Sequence, residues 1–398
     1  MKILHVVDRM DPKAGGVCQA IRMIVDSLSQ VRVTSEVVSV DADSSIFNDP
    51  FKIHALGPAN NAWQFSKKLL PWLICNLGNY DSVIIHGMWQ YYGFATYRAL
   101  KDRDGDKPLV YLMPHGMLDP YFQNAPDRKL KAIRNRVYWS LIERHVIKKC
   151  NALLFTCRTE MELARIPFKP YAPANERIVG LGIKSPPECT ETMINSFYKA
   201  AGMSIDENFI LYLGRLHSKK GIDILIHAYI ELLEVIQLPK LVIAGPGIES
   251  DYGKDIKRLI AKRPELQSYF VFTGMLEGDA KWGAFYACET FILPSHQENF
   301  GIATVEALAC GKPVLISNQV NIFNEIQDYD AGFIGTDTIE GTTDLLQSWA
   351  SLSSKEKRLK SMNALKCYQE KFTEHTVAEN IIALMNLNYE NRLLEYKV

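Results

Sequence analysis

The sequence has 398 residues, of which 47% are hydrophobic and 23% charged. This length suits two or three compact domains, and the composition excludes a disordered, collagen-like or small disulfide-rich chain. The formal net charge is zero, which argues against a nucleic-acid partner, but residues 1–182 carry 24 basic and 17 acidic side chains, whereas residues 183–398 carry 21 and 28. We expect the two halves to contact different partners.

The N-terminal eight residues form a short apolar run closed by Asp8, which predicts a strand rather than a signal peptide. No apolar run approaches the ~18 residues that a membrane-spanning helix needs. The eight cysteines include no pair at zinc-ligand spacing. We therefore expect a reduced, cytoplasmic protein without a metal site or a cofactor.

Short β-rich apolar runs alternate with helical patterns along the chain, which predicts α/β domains with parallel sheets. The first series of runs lies at 3–7, 33–40, 82–85, 109–113 and 152–155, and the second at 209–213, 240–244, 270–272, 290–293 and 314–316. A Gly- and Pro-rich segment at 180–187 separates the two series. We therefore predict two tandem Rossmann-like domains, 1–182 and 183–375, with the ligand site in the cleft between them. Residues 376–398 are predicted to be a helix that packs back on the first domain.

Two segments of the first domain place unusual residues after predicted strands, where ligands bind in such sheets. Gly15 and Gly16 follow the first strand and would let a ligand approach the amides of the next helix, although an ordinary turn explains them equally well. His86 and Trp89 follow the strand at 82–85, and His115 follows the strand at 109–113. Both histidines should face the cleft, whereas Trp89 could equally be a core residue.

The second domain contains cations and carboxylates at corresponding positions. Arg215 and Lys220 follow its first strand, and this pair of a planar guanidinium and a point charge suits a diphosphate. Glu298 lies in the loop after the strand at 290–293, and Glu306 lies on the helix that begins near Gly301. Either carboxylate alone could be a helix cap or a surface residue. Together with the two cations they indicate a nucleotide-sugar site, in which the carboxylates bind hydroxyl groups.

These motifs resemble the retaining glycosyltransferases of family 4, which have the GT-B fold, and the His-Gly-Met-Trp and Pro-His-Gly-Met-Leu segments are similar to a bacterial exopolysaccharide-assembly subgroup. The matching segments are the Gly15-Gly16 loop, Gly214-Arg215 with Lys220-Gly221, Ile243–Gly247, Phe272–Gly274, and Glu298 with seven residues before Glu306.

The resemblance implies a role for each of these residues. Glu298 and His115 would contact the donor hexose, and Glu306 would contact the ribose. Arg215 and Lys220 would contact the diphosphate. The predicted catalytic residues are Glu298, His115, Arg215 and Lys220. Further donor contacts would come from the following residues: Gly15, Gly16, Gly247, Met275, Leu276, Asn299, Phe300, Gly301 and Ile302. His86 and Trp89 are assigned to the acceptor side.

The implied activity is that of a hexosyltransferase. It would transfer a hexose, with glucose from UDP-glucose the first choice, to a glycan or lipid-diphosphate-linked glycan, with retention and without a metal ion. The alternative from another class is a GT-B sugar-nucleotide epimerase, which would act on a UDP-sugar without an acceptor.

A basic segment at 128–149 interleaves eight Lys and Arg residues with apolar ones. One interpretation is a helix packed on the core with a solvated basic face. The functional interpretation is a surface that docks on anionic lipid at the inner face of the plasma membrane and on a lipid-diphosphate acceptor.

Overall fold

The computed structural model describes residues 1–12, 15–45, 47–59, 61–101, 107–124, 128–205 and 207–395, with side chains through residue 390. The chain folds into two compact units. Unit 1 consists of Met1–Gly182 together with Glu374–Val398, and unit 2 of Ile183–Thr373. The chain returns to unit 1 at Glu374, two residues before the predicted boundary.

Unit 1 is built on a parallel sheet of seven strands in the order β3-β2-β1-β4-β5-β6-β7. Its strands are β1 (Lys2–Val6), β2 (Thr34–Ser39), β3 (Lys52–Ala55), β4 (Ser82–His86), β5 (Leu109–Met113), β6 (Ala152–Phe155) and β7 (Glu176–Ile178). Its helices before residue 182 are α1 (Gly16–Gln30), α2 (Leu69–Asn76), α3 (Tyr91–Lys101), α4 (Tyr121–Asn124), α5 (Lys129–Tyr138), α6 (Arg144–Lys149) and α7 (Arg158–Ala164). The central strands β4 and β5 are buried along their whole length, which explains their continuous apolar sequences.

Unit 2 contains a second parallel sheet, of six strands in the order β10-β9-β8-β11-β12-β13. Its strands are β8 (Phe209–Leu213), β9 (Lys240–Ala244), β10 (Phe270–Gly274), β11 (Thr290–Leu293), β12 (Val314–Ser317) and β13 (Gly332–Gly335). Its helices are α8 (Glu191–Ala201), α9 (Ile222–Leu233), α10 (Asp251–Ala261), α11 (Gly278–Ala287), α12 (Ile302–Ala309), α13 (Phe323–Asp328), α14 (Ile339–Ala350) and α15 (Ser354–Lys371). In both sheets the chain order reverses beside the first strand of the unit, which is the doubly wound topology of a Rossmann-like domain.

The last helix, α16 (Glu374–Glu395), belongs to unit 1, where it contacts α1 and β5. Asn388 donates a hydrogen bond from Nδ2 to the hydroxyl of Tyr111 over 3.1 Å, and Asn380 donates to the carbonyl of Val179 over 3.3 Å. These contacts tie the end of the chain to the first sheet.

The basic segment 128–149 forms a continuous helical run whose winding changes in the middle. It consists of α5, a π-helical turn at Trp139–Glu143, and α6. The wider turn rotates the faces of the two helices relative to each other, and such turns are frequent at functional sites. Within the described residues, no helix has both the length and the apolar character needed to span a membrane.

Candidate active site

In unit 2, the residues predicted to bind the diphosphate and the hexose lie close together, at the carboxyl ends of two neighbouring strands. β8 and β11 are paired in parallel, so the loops that follow them emerge at the same edge of the sheet. Lys220, from the loop after β8, forms an ion pair through Nζ with Oε2 of Glu298, from the loop after β11. Both side chains are about one-fifth exposed, so this pair is accessible to a ligand.

The two loops are fastened to each other by backbone contacts. The carbonyl oxygen of Lys219 accepts hydrogen bonds from the hydroxyl of Ser295 and the amide of His296, each over 2.9 Å. Gly221 has a φ of +66°, and a Cβ there would lie 2.0 Å from the carbonyl oxygen of Pro294. Only glycine permits this approach, which sets the direction in which Lys220 leaves the strand.

Glu298 is held by the loop after β12. Its amide donates to the carbonyl of Gln319 and its carbonyl accepts from the amide of Asn321, each over 2.9 Å. Asn321 also donates to the side-chain oxygen of the adjacent Asn299 over 3.4 Å. These bonds fix the backbone from which the Glu298 carboxylate projects.

Glu306 lies on α12, which begins after Gly301, a residue with a φ of +77°. The residue is 9% exposed, and its carboxylate bonds to Nζ of Lys281 over 2.6 Å. Burial raises the pKa of Glu306, and the charge of Lys281 partly opposes that rise. Phe300 is buried beside Phe372, with ring centroids 5.7 Å apart, and so fixes the start of this helix. The first amides of α12, from Ile302 on, are available to an anion, as at any helix N-terminus.

Arg215 follows β8 in the same loop as Lys220. It is exposed, and among the residues that the structure describes none hydrogen-bonds to its guanidinium. It lines a cavity of about 520 Å³ together with the turn at Gly247 and the N-terminal end of α10. Met275 and Leu276 follow β10. The side chain of Met275 is exposed and that of Leu276 is buried, so a ligand that contacts both residues would do so through their backbone.

In unit 1, a cavity of about 450 Å³ gathers several of the predicted residues. It is lined by His86, His115 and Trp89, by Val17 and Cys18 from the first turns of α1, and by residues that the sequence did not single out. Gly15 precedes α1 with a φ of +107°, and Gly16 is its first residue; a Cβ at either would meet nothing within 4 Å. Residues 13 and 14 of this loop lie outside the described residues.

Trp89 contributes mainly to the core. Its indole is 9% exposed and lies 5.1 Å from the ring of Phe168. Its amide donates to Oε1 of Glu143, from the π-helical turn, over 2.7 Å. The packing of the Trp89 ring is therefore that of a core residue, which was the alternative to a role on the acceptor side.

The cavity has a cationic lining that only the fold could reveal. Arg9, Arg128 and Arg134 line it, against one carboxylate, Asp8, which lies 3.4 Å from Arg9. Arg128 lies over the ring of Phe122 at 4.8 Å. These arginines come from two distant segments of the sequence, so no local motif marks them as a group.

Sequence reasoning also missed His5, Glu143 and Lys281. His5 is fully buried and bonds to His86, Glu143 is buried behind the cavity, and Lys281 pairs with Glu306. Each lies in an ordinary strand or helix pattern, and each gains its partner from an element 25 to 81 residues away. Among the described residues, no group of three or more His, Cys, Asp or Glu side chains is arranged to hold a metal ion.

Comparison with known proteins shows which proteins this chain resembles. Residues 197–365 match the family described as glycosyl transferases group 1. An uncharacterized glycosyltransferase of Methanocaldococcus jannaschii is 38% identical over 128 residues, which cover 32% of this chain and 31% of that protein. An alpha-monoglucosyldiacylglycerol synthase of Streptococcus pneumoniae is 26% identical over 227 residues, 56% of this chain and 46% of that protein. The chain thus spans less than half the length of these curated relatives.

The whole fold also has solved counterparts. The structure of HepE from Anabaena, in complex with UDP and glucose, aligns with a TM-score of 0.72 at 17% identity and covers 97% of this chain and 99% of that one. Residues 197–365, less than half of the chain, thus resemble the glycosyl transferases group 1 family, and the two Rossmann-like units have the GT-B fold, as predicted.

Proposed function

We propose that the chain is a retaining hexosyltransferase that transfers glucose from UDP-glucose to a glycan acceptor. The observation that carries this proposal is the contact between Lys220 and Glu298. A cation suited to phosphate and a carboxylate suited to sugar hydroxyls meet at one sheet edge, beside the amides of α12. A nucleotide sugar presents those two groups, a diphosphate and a hexose, next to each other.

In the proposed reaction, the bond between the anomeric carbon and the UDP oxygen breaks, and a bond to the acceptor oxygen forms on the same face of the sugar. The acceptor proton moves to a phosphate oxygen of the departing UDP. Arg215, Lys220 and the first amides of α12 meet the charge that develops on the diphosphate, a role worth a few kcal/mol per donor in a closed site. We therefore propose a reaction that needs no metal ion, in which Glu298 and His115 hold the hexose and Glu306 the ribose.

The choice of UDP-glucose has two supports besides the residues. HepE was crystallised in complex with UDP and glucose, and the name of the pneumococcal relative describes a glucosylated lipid. A thermal-shift screen with UDP-, GDP- and ADP-sugars tests the choice; stabilisation by UDP-glucose above the others is the expected result, and stabilisation by a GDP- or ADP-sugar alone refutes it.

The acceptor is proposed to carry phosphate, as a lipid-diphosphate-linked glycan does. Arg9, Arg128 and Arg134 give the unit 1 cavity an excess of positive charge, and guanidinium groups bind phosphate oxygens in pairs. Arg134→Ala should raise the KM for a lipid-diphosphate acceptor at least about tenfold, the loss of one charge-assisted hydrogen bond. Arg136→Ala, which removes an exposed arginine outside the cavity, is the matched control.

The same segment is proposed to dock on an anionic membrane surface. α5 and the turn after it expose four apolar side chains, Leu130, Ile133, Val137 and Leu141, and Leu130 is 84% exposed. Lysines and arginines lie between them, so the surface combines an apolar stripe with positive charge, as interfacial helices do.

Vesicle flotation tests this docking. Leu130→Ser with Ile133→Ser should lower binding to vesicles that contain anionic lipid, and added salt should lower binding of the wild type. Leu359→Ser with Met362→Ser, which changes exposed apolar residues on α15, is the control. Binding that is insensitive to salt and to anionic lipid would refute the proposal.

The decisive test of the activity is NMR of the products formed from UDP-glucose with and without a lipid-linked acceptor. Transfer with retention of the α-configuration is the expected outcome. A new UDP-sugar formed without acceptor would favour the epimerase, and no turnover of any UDP-sugar would refute both enzymes.

A further inference from the structure

Four polar residues form a diagonal row across unit 1, three on neighbouring strands and the fourth in the turn just after the next strand, β5. Ser35 on β2 is in register with Ile3, and His5 follows Ile3 by two residues. His5 is in register with Ile84, and His86 follows Ile84 by two residues. His86 in turn is in register with Met113, and His115 follows Met113 by two residues. Because side chains two residues apart share a face of a sheet, Ser35, His5 and His86 lie on one face, each one step further toward the carboxyl ends. His115 continues the row just beyond the end of β5, in a turn where its φ is +52°.

Hydrogen bonds join the row from end to end. Ser35 Oγ lies 3.3 Å from His5 Nε2, His5 Nδ1 lies 2.9 Å from His86 Nε2, and His86 Nδ1 lies 2.9 Å from His115 Nε2. The imidazole rings stack in sequence, with centroids 5.1 and 5.2 Å apart. His5 and His86 are fully buried, whereas His115 is partly exposed at the unit 1 cavity.

Burial keeps the row neutral. It lowers the pKa of His5 to about 3 and that of His115 to about 4, and it lowers the pKa of His86 well below the ordinary value, with the neighbouring imidazoles adding to the effect. A neutral imidazole carries one N–H, so it can donate from one nitrogen only and must accept at the other. Each link in the row therefore determines the tautomer of the next ring.

The buried hydroxyl of Ser35 sets the direction. Among the described residues, His5 Nε2 is the one acceptor within reach of that hydroxyl. If Ser35 donates to Nε2, His5 carries its proton on Nδ1 and donates to His86, and His86 carries its proton on Nδ1 and donates to His115. The remaining proton of His115 then lies on Nδ1, for which no described residue is a partner.

We propose that Ser35, His5 and His86 are positioning residues that hold His115 in its Nδ1–H tautomer, so that His115 presents a neutral N–H donor to an oxygen of the bound sugar. The identity of the bound group rests on the proposed function, whereas the tautomer does not. The row makes His115 a donor that carries no charge, which adds no further cation to the cavity while fixing the direction of one hydrogen bond.

NMR of protein labelled with ¹⁵N-histidine tests the tautomer directly, with the His115 resonances assigned by their loss in His115→Gln. In the wild type at pH 7.5, we expect the Nδ1 of His115 to give the resonance of a protonated nitrogen and Nε2 that of an unprotonated one. The reverse pattern overturns the proposal. Apart from the His115→Gln variant used for assignment, this measurement requires no variant in the row, and it requires no catalytic activity.

Ser35→Ala tests the coupling at the far end of the row. We expect the two His115 nitrogens to shift toward a mixture of both tautomers, and Ser35→Thr, which keeps a hydroxyl, to retain the wild-type pattern. Ser27→Ala removes a buried hydroxyl of α1 outside the row and should leave His115 unchanged. Unchanged His115 resonances in Ser35→Ala overturn the proposal.

Kinetics supply the second readout. If half of the Ser35→Ala molecules hold the wrong tautomer, the KM for UDP-glucose rises by about twofold, because the apparent affinity scales with the competent fraction. Ser35→Thr should restore the wild-type value. A chain with the predicted tautomer but no turnover of any UDP-sugar would contradict the proposed function and leave the row intact as a structural finding.

Discussion

Glu143 allows a quantitative test of the site's electrostatics. Its carboxyl is 1% exposed in the π-helical turn, Oε1 accepts the amide of Trp89 over 2.7 Å, and Oε2 has no hydrogen-bond partner among the described residues. Burial raises the pKa of Glu143 to about 7, and the Trp89 amide opposes part of that rise. Glu143→Gln keeps the acceptor for Trp89 and removes the ionisation.

The raised pKa of Glu143 determines whether the protein gains or loses stability as the pH rises. Between about pH 4.5 and pH 7 the folded protein holds a proton that the unfolded chain has released, so this group's contribution to stability is present at low pH and is lost as the pH rises through that window. From pH 5 to pH 8 the wild type loses ~2.5 kcal/mol from this carboxyl, whereas Glu143→Gln loses nothing from it. The lowered pKa values of His5, His86 and His115 act in the opposite direction, but equally in both proteins, so they cancel from the difference.

Thermal melting at pH 5, 6, 7 and 8 measures this difference. The Tm of Glu143→Gln relative to the wild type should increase by roughly 5–10 °C between pH 5 and pH 8, since a domain of this size shifts by about 2–4 °C per kcal/mol. The amide group that replaces Oε2 changes the Tm by the same amount at every pH. The decisive quantity is therefore how the Tm difference between variant and wild type changes with pH. Glu162→Gln, which changes an exposed carboxyl of α7, is the control. Parallel pH profiles for Glu143→Gln and the wild type would refute the reasoning.

Three further predictions concern other parts of the chain. Lys281→Met should raise the donor KM roughly tenfold, and more at pH 6 than at pH 8, because without this cation the pKa of Glu306 rises further; steady-state kinetics at both pH values test it. Gly221→Ala should destabilise unit 2 by ~3 kcal/mol in denaturant titrations, whereas Gly278→Ala, with a φ of +52° and open space around it, measures the backbone term alone. Removal of residues 374–395 should abolish the cooperative melting of unit 1 while unit 2 still melts; an unchanged unit 1 transition would contradict it.

The sequence predicted the strands whose apolar runs are continuous, including the edge strand β10 from its run at 270–272. It missed β3, β7 and β13, which are short edge strands without such a run. The π-helical turn that divides the basic segment leaves no sequence signal.

Some residues of the candidate site could be predicted from the sequence and others could not. Residues that follow strands, such as Lys220 and Glu298, could be found because parallel strands end at one edge. The row from Ser35 to His115 could not, because it depends on strand order and register, neither of which the local sequence encodes.

Unit 1 is made of two stretches of chain separated by the whole of unit 2. During synthesis, unit 2 has all of its residues available once Thr373 is made, while the first sheet still lacks the helix that contacts α1 and β5. A ribosome-bound chain that ends shortly after residue 373 would therefore carry all of unit 2 together with an unfinished unit 1. The order of translation thus delays completion of unit 1 until α16 has emerged, whichever unit begins to fold first.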